Sequence, residues 1–258
     1  MSTDIQDLVD AHEKVVPVAE ARLGPHVLRY HVPNRTCLTR VQTLLSKEPD
    51  TITWLSSIPE GSVLLDVGAN VGTYSIFASV VRGARVFAFE PEAQNFAVLC
   101  RNIIANNLSG RVDAWCAAVS DKTGFDHIYL SDLTIGGSCH SFGEQVNFRL
   151  RPSPSRFSQG SYATTIDALV QEGTIEVPGY IKIDVDGFDH KVIHGGLTTL
   201  RNPRVQSVIV ELNTNLAEHR DVVGLMSSLG FTSDPEQVVR AQRKDGPFKG
   251  IGEHVFRR

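Results

Sequence analysis

An α/β fold, with a mostly parallel sheet and crossovers on both faces, is predicted by three observations. Apolar runs at 63–67, 85–89, 112–117, 180–184 and 206–212 read as strands, and helix-period stretches at 72–81, 93–107, 164–172, 187–194 and 217–229 alternate with them. Parallel strands joined by helices produce that alternation. Next, Val63-Leu64-Leu65-Asp66-Val67 breaks into a glycine turn, Gly68-Ala69-Asn70-Val71-Gly72, that opens a helix. Finally, the strand from Arg85 to Phe89 ends on Glu90 and is stopped by Pro91. Ligands of open α/β sheets sit outside the carboxyl ends of the strands, so Asp66, Gly68, Asn70 and Glu90 should converge on one crevice.

Along the chain, residues 1–24 carry Ile5, Leu8, Val9, Val15, Val16 and Val18 among charges, a weak helical pattern interrupted at Pro17. This stretch is expected to pack across the domain or against a partner subunit. His26 to Pro33 alternates as a short strand or hairpin arm. Thr36 to Leu45 and Thr51 to Ser57 read as helical turns, with Glu48-Pro49 between them and Trp54 on the second. In the glycine turn, Gly68 permits positive φ and close backbone approach, while Gly72 lets the helix pack against the strand. Free N–H groups at the helix start face the crevice. Asp66 is anionic where a pyrophosphate would need neutral or positive surroundings, so a cationic, amino-bearing ligand is expected instead. Glu90 can accept both hydroxyls of a ribose. Gly230 reads as a helix C-cap.

One segment breaks the alternation. Residues 120–163 hold many glycines, prolines and serines with short β-like runs at 127–130 and 146–150, too long for an ordinary connection. Such insertions are lids, binding loops or disordered, and this one is assigned to acceptor recognition.

Composition narrows the class. The 258 residues carry a formal charge of −4, with no basic footprint for a polyanion, so nucleic acid is a poor partner. Cys37, Cys100, Cys116 and Cys139 show no C-x-x-C spacing, which argues against a zinc site, an iron–sulfur cluster or a disulfide framework. No apolar run approaches the ~20 residues that span a bilayer, and Met1 to Asp7 does not read as a signal peptide. A soluble cytoplasmic protein without membrane partners is expected, with reduced thiols.

The glycine turn with Asp66 and Glu90 resembles the class I S-adenosylmethionine-dependent methyltransferases. The words Phe89-Glu90-Pro91…Asn95…Leu99…Asn102…Asn106 and Tyr180-Ile181-Lys182-Ile183-Asp184-Val185-Asp186-Gly187 narrow the resemblance to the FkbM family, over roughly residues 48–256. The resemblance implies a doubly wound, Rossmann-like seven-stranded sheet in three α/β/α layers, with an antiparallel C-terminal strand formed by Phe231-Thr232-Ser233 and Glu253 to Phe256. It divides the chain into an N-terminal helical and β extension, 1–50, and a methyltransferase domain, 51–258. It further implies that Asp66 and Gly68 hold the amino acid end of S-adenosylmethionine, that Asn70 and the helix start at Gly72 hold its carboxylate, and that Glu90, Pro91 and Asn95 lie along the ribose. Ala117 makes room for the adenine, while Glu48 and Thr51 touch the methionine end. Ile135-Gly136-Gly137-Ser138-Cys139-His140-Ser141 is similar to a Gly/Ser-rich word of the family, although Cys139 and His140 depart from it.

The implied reaction is O-methylation of a small hydroxylated acceptor, a sugar, polyketide or similar secondary metabolite. In-line attack on an activated methyl asks mainly for alignment and for a place to put a weakly acidic hydroxyl proton. Asp184 leads as base or reacting edge, with His140 and Glu211 as further catalytic candidates and His190 beside them. Asp184, Glu211 and Asn213, with Asp186 nearby, would form an oxygen-rich set suited to Mg²⁺. The plainer readings stand next to these: Asp184 as a helix cap or a partner of Lys182, Asp186 as a turn residue, Glu211 as an acceptor of loop N–H groups, and the histidines as structural. A second copy of the chain, meeting through the N-terminal extension, is the candidate protein partner. The alternatives are an NAD(P)-dependent oxidoreductase, disfavoured because Gly68-x-x-x-Gly72 lacks the second phosphate glycine, and a non-catalytic cofactor-binding scaffold.

Overall fold

A computed structural model describes residues 4–15 and 17–258; the readings placed on Met1 to Thr3 and on Val16 lie outside the described residues. Helix α1 (Ile5–Lys14) starts where the Asp4 side chain accepts from the Gln6 N–H, and buries none of its residues. Where a helical pattern was expected through residue 24, the second half is strand β1 (Val18–Leu23), paired antiparallel with β2 (His26–His31) around Gly24. Every second residue of β1 is half-buried, a period of two that Pro17 separates from the helix before it. Two helices follow, α2 (Arg35–Gln42), capped by Asn34, and α3 (Pro49–Ser57), opened by its proline.

The core alternates as predicted. Strand β3 (Val63–Val67), helix α4 (Thr73–Arg82), β4 (Arg85–Phe89), α5 (Ala93–Ala105) and β5 (Val112–Trp115) come first. A second sheet interrupts, made of β6 (Ala118–Val119), β7 (Gly124–Leu130), β8 (Ser141–Phe142) and β9 (Phe157–Thr164) in the order β6-β9-β7-β8. The alternation then resumes with α6 (Ile166–Gln171), β10 (Tyr180–Ile183), α7 (Asp189–His194), α8 (Leu197–Arg201), β11 (Ser207–Asn213), α9 (Ala217–Ser228), β12 (Thr232–Ser233), α10 (Pro235–Ala241) and β13 (Ile251–Arg257).

Seven strands form the main sheet in the order β12-β13-β11-β10-β3-β4-β5. It is a mixed sheet: β13 runs antiparallel to β11 and β12, and the pairs from β11 to β5 are parallel. Successive side chains of β3 and β4 enter opposite cores. Leu65, Val67, Phe87 and Phe89 pack with α6, α7 and α9, while Leu64, Val86 and Ala88 pack with α3, α4, α5 and β2. Both faces of the sheet are therefore covered, as near-continuous apolar strands require. The register aligns Val67 with Phe89 on one side and Ile183 on the other, so the loops after β3, β4, β10 and β11 emerge at one edge.

The segment 120–163, expected as a lid, binding loop or disordered insertion with short β-like runs, is built around a small sheet. Strands β7 and β9 pair across seven residues, and the alternation that β7 follows carries Ile128 and Leu130 inward. Serine and glycine on β9 mask its period in the sequence. Of the two β-like runs expected there, 127–130 falls inside β7, whereas 146–150 forms a turn closed by a bridge from Val146 to Pro152.

Candidate functional site

At the edge where the strand-end loops emerge lies a cavity of about 240 Å³. Its walls include Gly68, Asn70, Glu90, Pro91, Asn95 and Ala117, six residues expected around the donor, together with Asp184, Glu211 and His140, the three expected near the acceptor. Gly68 has φ 76°, and a Cβ there would lie 1.9 Å from the Asp184 carbonyl oxygen. The close approach that demands glycine is thus between neighbouring strand ends. Gly72 serves packing: a Cβ would meet Leu99 of α5 at 2.3 Å, so the residue seats α4 on α5 and does not line the cavity.

Asp66 lies one layer behind the cavity wall. The cation it meets is internal, because β3 and β10 pair Asp66 directly with Lys182. Lys182 Nζ lies 3.4 Å from Asp66 Oδ1 and 3.6 Å from Asp184 Oδ2, while the Ser75 hydroxyl donates to Asp66 Oδ2 at 2.6 Å. Burial works against the Lys182 ammonium, but Asp66, Asp184 and Glu48 outweigh it and hold its pKa above the ordinary value. A buried pair is costly to form and more costly to break. Asp66 is 1% exposed and does not reach the cavity wall.

Glu90 sits between two turns. Its Oε2 accepts from the Asn70 N–H at 2.8 Å and its Oε1 from the Glu92 N–H at 2.9 Å, leaving a further lone pair on each oxygen. Burial pushes its carboxyl up to about 7. Asn70 adopts φ 52°, a left-handed conformation that asparagine tolerates, and its side-chain amide donates to the Gly137 carbonyl at 2.7 Å.

That contact belongs to a set. The backbone of Ile135, Gly136 and Gly137 is held by side chains from four places: Asn34 donates to the Ile135 carbonyl, Arg40 Nε to the Gly136 carbonyl, Asn70 to the Gly137 carbonyl, and Asn95 Oδ1 accepts from the Gly136 N–H. The glycine-rich word therefore forms a strap that meets the cavity at Gly137, tied down by side chains at the start of α2, within α2, in the turn after β3 and on α5. Arg40 had no distinguishing pattern in the sequence.

At the far end, carboxylate oxygens of Asp184, Asp186 and Glu211 all lie within 4.8 Å of one another. Three members of the expected oxygen-rich set come together, and Asn213 stands apart from them. Asn213 is buried, its Oδ1 accepts from Asn215, and its N–H donates to His219 Nδ1. Asp186 has φ 54° and accepts the Cys139 N–H at 2.7 Å, and the turn carrying it is held by Asp189, whose oxygens accept from Val185 and Gly187. Burial, then the Asp184 charge, pushes Asp186 up to about 7 and Glu211 well above its usual range. Arg243 Nη1 pairs with Glu211 at 2.8 Å. No support for Mg²⁺ arises here, since Glu211 is already engaged by that guanidinium.

His140 lines the cavity, its Nδ1 accepting from the Ser131 N–H, and burial lowers its pKa, so the neutral ring carries its proton on Nε2. Glu48 and Thr51 do not share the main cavity. Glu48 lines a smaller neighbouring pocket of about 40 Å³ with Lys47, Tyr74 and Lys182, and pairs with Lys47 at 2.7 Å. Thr51 is sealed inside α3 at 1% exposure. Arg243 and Phe248, both at the cavity wall, were not singled out by the sequence; their loop reaches the site only because β13 returns antiparallel beside β11.

A family model described as the methyltransferase FkbM domain matches residues 66–233. The chain is 29% identical over 199 residues to the 31-O-demethyl-FK506 methyltransferase FkbM of Streptomyces tacrolimicus, covering 69% of this chain and 75% of the relative. It is 25% identical over 214 residues to the hexuronic acid methyltransferase AglP of Haloferax volcanii, covering 83% of this chain and 82% of the relative. Among solved structures, methyltransferase FkbM from Methylobacillus flagellatus aligns with a TM-score of 0.49 at 15% identity, over 86% of this chain and 54% of that one.

Proposed function

The chain belongs to the FkbM methyltransferase family, and from that premise we propose that it is an S-adenosylmethionine-dependent O-methyltransferase acting on a hydroxyl of a sugar or secondary metabolite. The observation that carries the reading is Glu90: a buried carboxylate at the end of β4, fixed by two backbone N–H groups, with its remaining lone pairs beside a cavity large enough for part of a nucleoside. Those lone pairs suit two ribose hydroxyls. Ala117 leaves room beside them for a base, and the Gly68–Asn70 turn faces the amino acid end. Asp66 acts through Lys182 in this reading.

When bound, S-adenosylmethionine supplies a methyl already activated on a sulfonium sulfur. The chain's own residues align the acceptor and receive its proton. Asp184, at the junction of the donor and acceptor walls, is the leading proton acceptor and Glu211 the other; His140, with Nδ1 held by the Ser131 N–H, offers the cavity an Nε2–H donor. Mg²⁺ is given no role. The segment 120–163 contributes Ile128, Phe142 and the strap to acceptor recognition. The partition at residue 50 and a cytoplasmic setting belong to the same reading, and among the described residues no helix is long and apolar enough to cross a membrane.

Calorimetric titration with S-adenosylhomocysteine and, separately, NADH tests the donor. Micromolar binding of the former alone is expected; binding of NADH alone would replace the reading with the oxidoreductase one. Glu90→Ala should weaken S-adenosylhomocysteine binding through lost charge-assisted hydrogen bonds worth about 1.5–3 kcal/mol each. Equal affinity in that variant would put the ribose elsewhere.

A further inference from the structure

We propose that the acceptor end of the cavity selects an uncharged, polyhydroxylated ring and rejects acceptors that carry a carboxylate, with Glu211 as the residue that sets the selection. The inference rests on the methyltransferase reading and adds the charge class of its acceptor.

Three features of the cavity wall support it. Asp184, Asp186 and Glu211 present carboxylates within 4.8 Å of one another. The field they create acts on their own ionisation: after burial, the Asp184 charge is what drives Asp186 and Glu211 upward. An incoming carboxylate would meet the same field, and like charges brought together suppress wrong partners. Sugar hydroxyls meet the opposite situation, because they donate to ionised carboxylates and accept from protonated ones.

Two of the three cations at the wall are already paired with acids. Among the described residues, the lysine and arginine side chains lining the cavity are Arg40, Lys47 and Arg243. Lys47 Nζ pairs with Glu48 at 2.7 Å. Arg40 keeps its charge, with Nε on the Gly136 carbonyl, and lies towards the smaller pocket shared with Lys47 and Glu48 rather than at the acidic end. Arg243 faces three acids: Glu211 at 2.8 Å, Glu253 at 3.7 Å and Glu48 at 3.9 Å. Glu211 thus masks the guanidinium that would otherwise hold an anionic acceptor. Replacing it by glutamine removes the acid that pairs with the guanidinium and so unmasks the fork.

The third feature is a flat apolar wall. Phe248 lies beside these acids, its ring 4.8 Å from that of Phe148 and 5.7 Å from the Arg243 guanidinium carbon. An aromatic surface opposite a few convergent polar groups is the usual composition of a ligand pocket, and here it suits the C–H face of a ring whose hydroxyls point to the acids.

The test uses the full chain saturated with S-adenosylhomocysteine and matched probe pairs that differ only at C6: methyl gluco-, galacto- and mannopyranosides against the corresponding methyl uronosides, with binding read by ligand-observed NMR titration. At least one neutral probe should bind, and each uronoside should bind about tenfold or more weakly than its neutral twin. Glu211→Gln should narrow that gap by about tenfold. Uronosides binding as well as their twins, no neutral probe binding, or an unchanged gap in Glu211→Gln would each overturn the proposal. Retained S-adenosylhomocysteine affinity reports that the variant is folded. If it is not, Asp186→Asn, which keeps the Glu211–Arg243 pair, must narrow the gap in its place, and failure to do so counts against the proposal. The S-adenosylhomocysteine titration comes first. Silence there sinks the donor reading, and the probe comparison on the free protein still decides the charge selection.

Discussion

Glu90 is held by two backbone donors and also buried, so its environment both favours and opposes its charge, and burial prevails. Its carboxyl rises from the ordinary 4.5 to about 7. A raised carboxyl contributes stability that is fully present below the unfolded value and is lost as pH rises through the folded one. The ligand-free protein should therefore lose thermal stability through Glu90 between about pH 4.5 and 7, and Glu90→Gln should show a shallower decline in a pH series of melting curves. An identical decline would show that Glu90 is not the titrating group. S-adenosylhomocysteine affinity should fall in the variant at every pH. At the other wall, Asp184→Asn is expected to leave that affinity within a few-fold while abolishing methyl transfer; undiminished turnover would move the proton acceptor to Glu211.

At the scale of elements, the strap at 135–137 differs from the strands beside it because its backbone groups are satisfied by side chains rather than by a ladder. Asn95 is the member of this set on α5, and its Oδ1 is the partner of the Gly136 N–H at 2.7 Å. Asn95→Ala leaves that N–H unsatisfied at a cost of about 1–3 kcal/mol. Local opening should become easier by that amount, seen as faster hydrogen exchange at Gly136, with exchange in β3 and β10 unchanged. Equal protection at Gly136 would mean that the strap is fixed by its packing. The second sheet is the element hardest to read from sequence, since only Ile128 and Leu130 of β7 betray an inward face.

Over the whole molecule, the N-terminal segment and the main sheet share one core. Leu28 and Tyr30 of β2 and Trp54 and Leu55 of α3 pack with Leu64, Val86 and Ile209 of the main sheet. Trp54 is 1% exposed, meets Tyr180 edge-on at 6.1 Å, and donates through Nε1 to Ser207, whose hydroxyl donates to the Phe256 carbonyl. Trp54→Ala should cost about 3–5 kcal/mol. Denaturant curves followed by circular dichroism and by intrinsic fluorescence should coincide in the wild type, as one cooperative unit requires; separate transitions would show that the segment before residue 50 folds by itself.

What the sequence determined by itself is what short-range patterns encode: the strand–turn–helix alternation, Gly68 and Glu90 at adjacent strand ends, and Asp184 on the same edge. Each follows from the period of the residues around it. Which partner each charge would meet was decided by the tertiary structure. Asp66 and Lys182 look unrelated along the chain and become neighbours only through the register of β3 with β10. Arg243 and Phe248 reach Glu211 because β13 turns back beside β11. Local propensity sets where strands begin and end, whereas pairing between distant strands sets which side chains share a low-dielectric space. That pairing gave Asp66 an internal cation in Lys182 and set the Arg243 guanidinium against Glu211.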